Sequence, residues 1–96
     1  MIFAEIIDKP RVDELLKTLQ GFGGIEWADQ GTVEEPDAYF WIYSQGIRVS
    51  VDNLTSLAFQ VKCDQSNPLF VREVIEVLSR IFKINVFEEP EHEAHE

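Results

Sequence analysis

Residues 38–63 read AYFWIYSQGIRVSVDNLTSLAFQVKC, and this stretch decides the predicted fold. Apolar and polar side chains alternate along it, and β-branched and aromatic residues are frequent, which is typical of strands in a half-buried sheet. The pattern predicts three consecutive antiparallel strands. Gln45 and Gly46 form the expected two-residue hairpin loop between the first two strands, because glycine readily adopts the positive φ that such a turn needs.

The third strand is predicted over residues 55–63, after a loop of three residues. This register pairs Val51 with Thr55 and directs Leu57 and Phe59 into the core. A loop with an even number of residues would turn those two side chains to the other face, because consecutive residues of a strand alternate between faces.

One face of the predicted sheet is apolar, and the other is mixed and aromatic. The second face carries the residues that we predict to contact a partner, namely Tyr39, Trp41, Tyr43 and Arg48. Tyrosine and tryptophan are enriched at protein interfaces, and arginine stacks on aromatic rings. The alternative is that another element covers this face, or that the large residues are present for their strand propensity.

The N-terminal part predicts a strand, a helix and a second strand. Residues 1–7 form an apolar strand, and a helix begins near Pro10, which is tolerated in a first helical turn. Apolar residues at helical spacing continue to Gly21, the expected helix end. Residues 25–29 then alternate as a short strand.

The C-terminal part predicts a second helix and a last strand. Asn67 is a suitable N-cap and Pro68 a suitable first residue for a helix that runs to about Lys83. Residues 84–87 form a short strand. Residues 88–96 contain one apolar residue, an alanine, so they are predicted to be a disordered acidic tail.

The order β-α-β-β-β-β-α-β predicts an α+β fold. A mainly antiparallel sheet would carry both amphipathic helices on one face, since each helix has one apolar side to bury. The chain has 96 residues, a length typical of one domain. We therefore assign residues 1–87 to a single globular α+β domain, followed by the tail.

The formal net charge is −10, and the excess lies in two segments. Residues 25–38 and residues 84–96 each contain five carboxylates and no lysine or arginine. The first segment supplies a predicted acidic patch, which consists of Glu26, Asp29, Glu34, Glu35 and Asp37. A solvated acidic loop is the alternative. The charge favours a basic protein partner and disfavours nucleic acid and anionic membrane surfaces.

No sequence motif indicates catalysis, a cofactor or a metal. The glycines at residues 21–24 lack the lysine and hydroxyl residue of a phosphate-binding loop. Both histidines, His92 and His95, lie in the predicted tail, where neither serves as a general base and metal ligands lack a fixed geometry. We expect no enzymatic activity. The single cysteine, Cys63, permits no internal disulfide, and with no predicted signal peptide or membrane span it favours a cytoplasmic location.

The leading functional hypothesis is a small, non-catalytic, acidic module that binds a basic protein. In charge and size alone it is similar to inhibitors and immunity proteins. A second hypothesis is a homodimeric structural protein that associates through the aromatic sheet face. A third is a small-ligand-binding protein or enzyme with a pocket between the sheet and the helices.

Overall fold

The computed structural model describes residues 1–32, 34–65 and 69–92. The elements in chain order are β1 (Ile2–Ile6), α1 (Val12–Leu19), β2 (Gly24–Asp29), β3 (Ala38–Ser44), β4 (Ile47–Asp52), β5 (Gln60–Cys63), α2 (Leu69–Ser79) and β6 (Ile84–Glu91). The predicted α+β class and element order are confirmed, and every strand pair is antiparallel.

The six strands form one sheet in the order β2-β3-β4-β5-β1-β6. β1 therefore lies between β5 and β6, and β2 and β6 are the edges. Side chains of both helices and of one sheet face form a single core, which includes Leu15, Phe40 and Leu78, each fully buried. We call the face covered by the helices the inner face and the opposite face the outer face.

The hairpin of β3 and β4 has the predicted register. Ser44 pairs with Ile47 and Phe40 with Val51. Both loop residues have positive φ, 51° at Gln45 and 79° at Gly46, which defines a type I′ turn. The prediction of a two-residue loop is confirmed.

The predicted start of the third strand is wrong. β5 begins at Gln60, and Val51 pairs with Val61 instead of Thr55. Residues 53–59 form a seven-residue loop, which we call the bridging loop. Its length is odd, as predicted, so the residues of β5 keep their predicted faces. Leu57 is fully exposed at 103%, whereas Phe59 is buried as predicted.

Leu57→Ser tests this correction. Because the side chain buries no surface, we expect the free energy of unfolding to change by less than about 0.5 kcal/mol. Phe59→Ala is the control and should cost about 3 kcal/mol or more, since Phe59 is 3% exposed. Urea denaturation measures both variants. A loss above about 2 kcal/mol in Leu57→Ser would favour the three-residue loop.

Two further boundaries differ from the predictions. β6 continues to Glu91, where Ile2 is its partner, so the predicted tail begins at least four residues too early. The acidic composition of residues 88–91 predicted disorder, because composition alone does not show that β1 lies beside this segment as a partner strand. α2 ends at Ser79 instead of Lys83, because its last turn tightens: the Ile81 N–H donates to the Leu78 carbonyl at 3.1 Å.

The first helix ends differently from its prediction as well. α1 stops at Leu19, and a short 3₁₀ turn, Gln20–Phe22, follows. The positive φ that terminates it, 91°, belongs to Gly23 and not to Gly21. The predicted N-cap at residues 67–68 and the residues after His92 lie outside the described part of the chain.

Candidate functional site

The outer face carries a stack of three side chains from β3 and β4. The rings of Tyr39 and Trp41 are 4.6 Å apart between centroids and inclined by 33°. The Arg48 guanidinium lies over the Trp41 ring, 4.7 Å from its centroid. Trp41 thus contacts both an aromatic ring and a cation. A cation–π contact is worth about 0.5–1 kcal/mol at a solvent-exposed site. We call these three residues the aromatic stack.

Tyr43 lies beside the aromatic stack on the same face. It pairs with Arg48 on β4 and with Gly24 on β2, and its side chain is 37% exposed. A Cβ on Gly24 would lie 3.7 Å from the Tyr43 Cβ, which is ordinary contact. The structure therefore places all four residues of the predicted aromatic surface on one face of two neighbouring strands. Their role in binding stays a prediction.

The predicted acidic patch is divided between the two faces of the sheet. Glu26 pairs with Trp41 and so lies on the outer face, next to the aromatic stack. Asp29 pairs with Ala38, a core residue, and therefore lies on the inner-face side. The other three acidic residues are exposed in the loop between β2 and β3 and are Glu34, Glu35 and Asp37.

We call residues 30–37 the acidic loop, and its described residues, 30–32 and 34–37, are joined by backbone hydrogen bonds. The Gln30 N–H donates to the Asp37 carbonyl at 2.9 Å and the Thr32 N–H to the Glu35 carbonyl at 3.0 Å. Gly31 lies against the backbone of the returning segment, where a Cβ would clash with the Glu35 carbonyl oxygen. These backbone hydrogen bonds link the described residues that carry the carboxylates of the loop.

Asn53 connects the acidic loop to the end of β4. Its side-chain oxygen accepts from the Ala38 N–H at 2.9 Å, and its side-chain nitrogen donates to the Pro36 carbonyl at 2.7 Å. In the sequence, Asn53 lies in the predicted three-residue loop before residue 55, where it is expected only as a turn residue. The missed signal was an asparagine at a strand end, where a side-chain amide commonly bonds to backbone groups.

An ion pair is buried beneath the bridging loop on the outer face. The Lys62 ammonium lies 2.8 Å from Asp52 Oδ1, and both side chains are less than 10% exposed. Lys62 also donates to Thr55 Oγ1 at 2.9 Å, and Asp52 Oδ2 accepts from Ser50 Oγ at 2.6 Å. Strand alternation alone predicts that Lys62 is an exposed positive charge of this face, which is wrong because the bridging loop covers it.

A cleft of about 300 Å³ opens on the outer face beside this ion pair. Its lining includes Trp41, Arg48, Leu54, Lys62 and Asp64, so both charge signs are present. The third hypothesis required a pocket on the other side of the sheet, between strands and helices. The cleft lies instead next to the aromatic stack, where it enlarges the concave part of that surface.

Among the described residues, the fold and this surface define a small α+β protein with one antiparallel sheet, two helices on its inner face and an outer face that the bridging loop covers only in part. No family of known proteins matches the chain, and neither a curated protein nor a solved structure is similar to it. In the described ranges, no helix is long and apolar enough to cross a membrane. The same ranges contain no group of three or more His, Cys, Asp or Glu side chains arranged to hold a metal ion.

Proposed function

We propose that this chain is a non-catalytic module that binds a basic protein. The observation that carries the proposal is the pairing of Glu26 with Trp41, which joins the acidic and aromatic surfaces. A partner that places a cation near Glu26 would also contact the aromatic stack. The buried thiol of Cys63 is compatible with a reducing, cytoplasmic location, which stays a prediction.

Three properties of the surface support binding to a protein. The aromatic stack is held in place by its own contacts, so little side-chain entropy remains to be lost on binding. Backbone hydrogen bonds between the described residues of the acidic loop restrain the segments that carry its carboxylates. The net charge of −10 accelerates encounters with positively charged proteins and repels acidic ones.

A capture experiment on lysate of the native host at low salt tests the proposal. The immobilised chain should retain a basic protein, whose affinity, measured after purification, should fall about tenfold or more between roughly 50 and 500 mM NaCl. Neutralising the acidic loop with Glu34→Gln, Glu35→Gln and Asp37→Asn should weaken the complex. Trp41→Ser should weaken it separately, through the loss of the aromatic stack.

Matched controls separate the surface from total charge and hydrophobicity. Glu88→Gln, Glu89→Gln and Glu91→Gln remove the same charge at the opposite edge of the sheet and should have little effect. Ile81→Ser removes an apolar side chain that is exposed elsewhere on the molecule and should also have little effect. An affinity that does not change with salt would refute a basic partner. If the chain captures only itself, and Trp41→Ser abolishes this, the homodimer hypothesis replaces the proposal.

A further inference from the structure

The edge strand β2 presents backbone groups that β3 does not use. The Gln30 N–H bonds to Asp37 on the β3 side, whereas the Ala38 N–H is directed away from β2, toward Asn53. Hydrogen-bonded and non-hydrogen-bonded pairs alternate along an antiparallel ladder. The N–H and C=O groups that point away from the sheet are therefore those of Ile25, Trp27 and Asp29.

The side chains along this edge provide an apolar contact. Ile25 and Trp27 pair with Ile42 and Phe40, so they lie on the inner face. Trp27 stacks on Phe40, with 6.2 Å between ring centroids and 12° between planes, yet it remains 46% exposed. Part of the indole thus stays available to a side chain of an added strand.

The two edges of the sheet differ in their protection against strand addition. The opposite edge, β6, contains Pro90, which cannot donate a hydrogen bond, and three glutamates. Proline and charged residues are the usual protection of an edge strand. β2 has the sequence GIEWAD, which carries two carboxylates but no proline, and its six residues are paired in a regular ladder with β3. In the described part of the chain, β2 is therefore the edge whose outward N–H groups can all donate to a partner strand.

The charges around this edge select the kind of strand that adds to it. Glu26 borders the edge on the outer face, Asp29 on the inner-face side, and the acidic loop follows at the end of the strand. Pairing with a second copy would put two Glu26 side chains on one face of a continuous sheet, between chains of net charge −10 each. A basic segment is electrostatically complementary instead.

We propose that an extended basic segment of a partner protein adds to β2 as an antiparallel seventh strand. This inference rests on the proposed function and specifies how its basic partner binds. Strand addition takes its affinity from backbone hydrogen bonds and its specificity from alternate side chains. The segment would place apolar residues opposite Ile25 and Trp27, and basic residues opposite Glu26 and Asp29.

A synthetic peptide tests the mode of binding. The probe acetyl-Thr-Lys-Thr-Val-Lys-Ile-Thr-amide places its lysines opposite Asp29 and Glu26 and its valine opposite Trp27. Methylation of the valine backbone nitrogen removes a hydrogen bond to β2. Methylation of the backbone nitrogen of the preceding threonine, the third residue of the peptide, removes none, because that nitrogen points away from β2. Titrations into ¹⁵N-labelled protein at low salt measure both affinities and the amides that shift.

We expect the largest shifts at the backbone amides of Ile25 and Trp27. The methylated valine should weaken binding about tenfold, and the methylated threonine by less than about twofold. Glu26→Lys should lower the affinity for the peptide. A peptide with glutamate in place of the lysine that faces residue 26 should bind this variant with restored affinity. Glu88→Lys, with the same charge change at the opposite edge, should leave the affinity unchanged within about twofold.

The outcomes distinguish strand addition from the proposed function. Strand addition would be overturned if both methylations weakened peptide binding equally, or if the amide shifts were centred on Trp41. The proposal of a basic partner would still hold. Absence of saturable binding at roughly millimolar peptide would overturn it as well. If the chain self-associates, and removal of the Trp27 ring abolishes this, the strand that adds to β2 belongs to a second copy of the chain. The proposed function is tested separately: a captured complex whose affinity does not change with salt would refute it, whatever the peptide titrations show.

Discussion

Asp52→Ala is expected to lower the free energy of unfolding by about 3–5 kcal/mol, because it leaves the buried Lys62 ammonium without its carboxylate. The same change removes the acceptor of the Ser50 hydroxyl and of the Leu54 N–H. A loss of this size is a large fraction of the stability of a small domain. Equilibrium urea denaturation, followed by circular dichroism, measures the loss.

Two further variants identify the cause of that loss. Asp64→Ala removes an exposed carboxylate at the same cleft and should change stability by less than about 0.5 kcal/mol. Lys62→Met combined with Asp52→Ala should cost at least about 1 kcal/mol less than the sum of the single changes, because both charges are then gone. Additive losses would show that the two side chains do not depend on each other.

Asn53→Ala is expected to lower the free energy of unfolding by about 2–3 kcal/mol. The Ala38 N–H, which belongs to a fully buried residue, would lose its acceptor, and the Pro36 carbonyl would lose its donor. The variant should also weaken capture of the basic partner, because the acidic loop is no longer fixed to β4. Urea denaturation measures stability, and hydrogen exchange of the Ala38 amide measures the local effect.

The control for this variant is Asn85→Ala, an exposed asparagine on β6, which should change stability by less than about 0.5 kcal/mol. Asn53→Asp keeps the acceptor for Ala38 but loses the donor to Pro36, so its effect should be intermediate. Unchanged exchange protection at Ala38 in Asn53→Ala would contradict the role of Asn53 as the connection between the loop and β4.

Much of the fold was predictable because local patterns determined it. The hairpin register followed from Gln45 and Gly46, and the apolar stripes located both helices. The start of β5 was not predictable in this way. A three-residue loop and a seven-residue loop place Val61 and Cys63 on the same faces, so the alternation alone does not distinguish them. The deciding interactions, Lys62 with Asp52 and with Thr55, connect residues seven to ten positions apart.

The residues of the aromatic surface were predictable from the sequence, but the position of the acidic residues relative to them was not. Alternation placed Tyr39, Trp41 and Tyr43 together, and the hairpin register added Arg48. The pairing of Glu26 with Trp41 was not predictable, because it depends on how β2 aligns with β3 across the acidic loop. The exposed edge at β2 also required the strand order, since a sequence pattern does not reveal which strands lack a neighbour.

The position of β1 between β5 and β6 has a consequence for biosynthesis. At about 5–20 residues per second, a ribosome adds β5 on the order of 3–10 s after β1. The meander of β2, β3 and β4 consists of sequence neighbours and is available to fold during that interval. The apolar strand IFAEI has no partner until then, so it is a candidate for chaperone binding or misassembly. β1 therefore pairs only with strands that follow it by more than 50 residues, and its insertion between β5 and β6 is the expected slow step of folding.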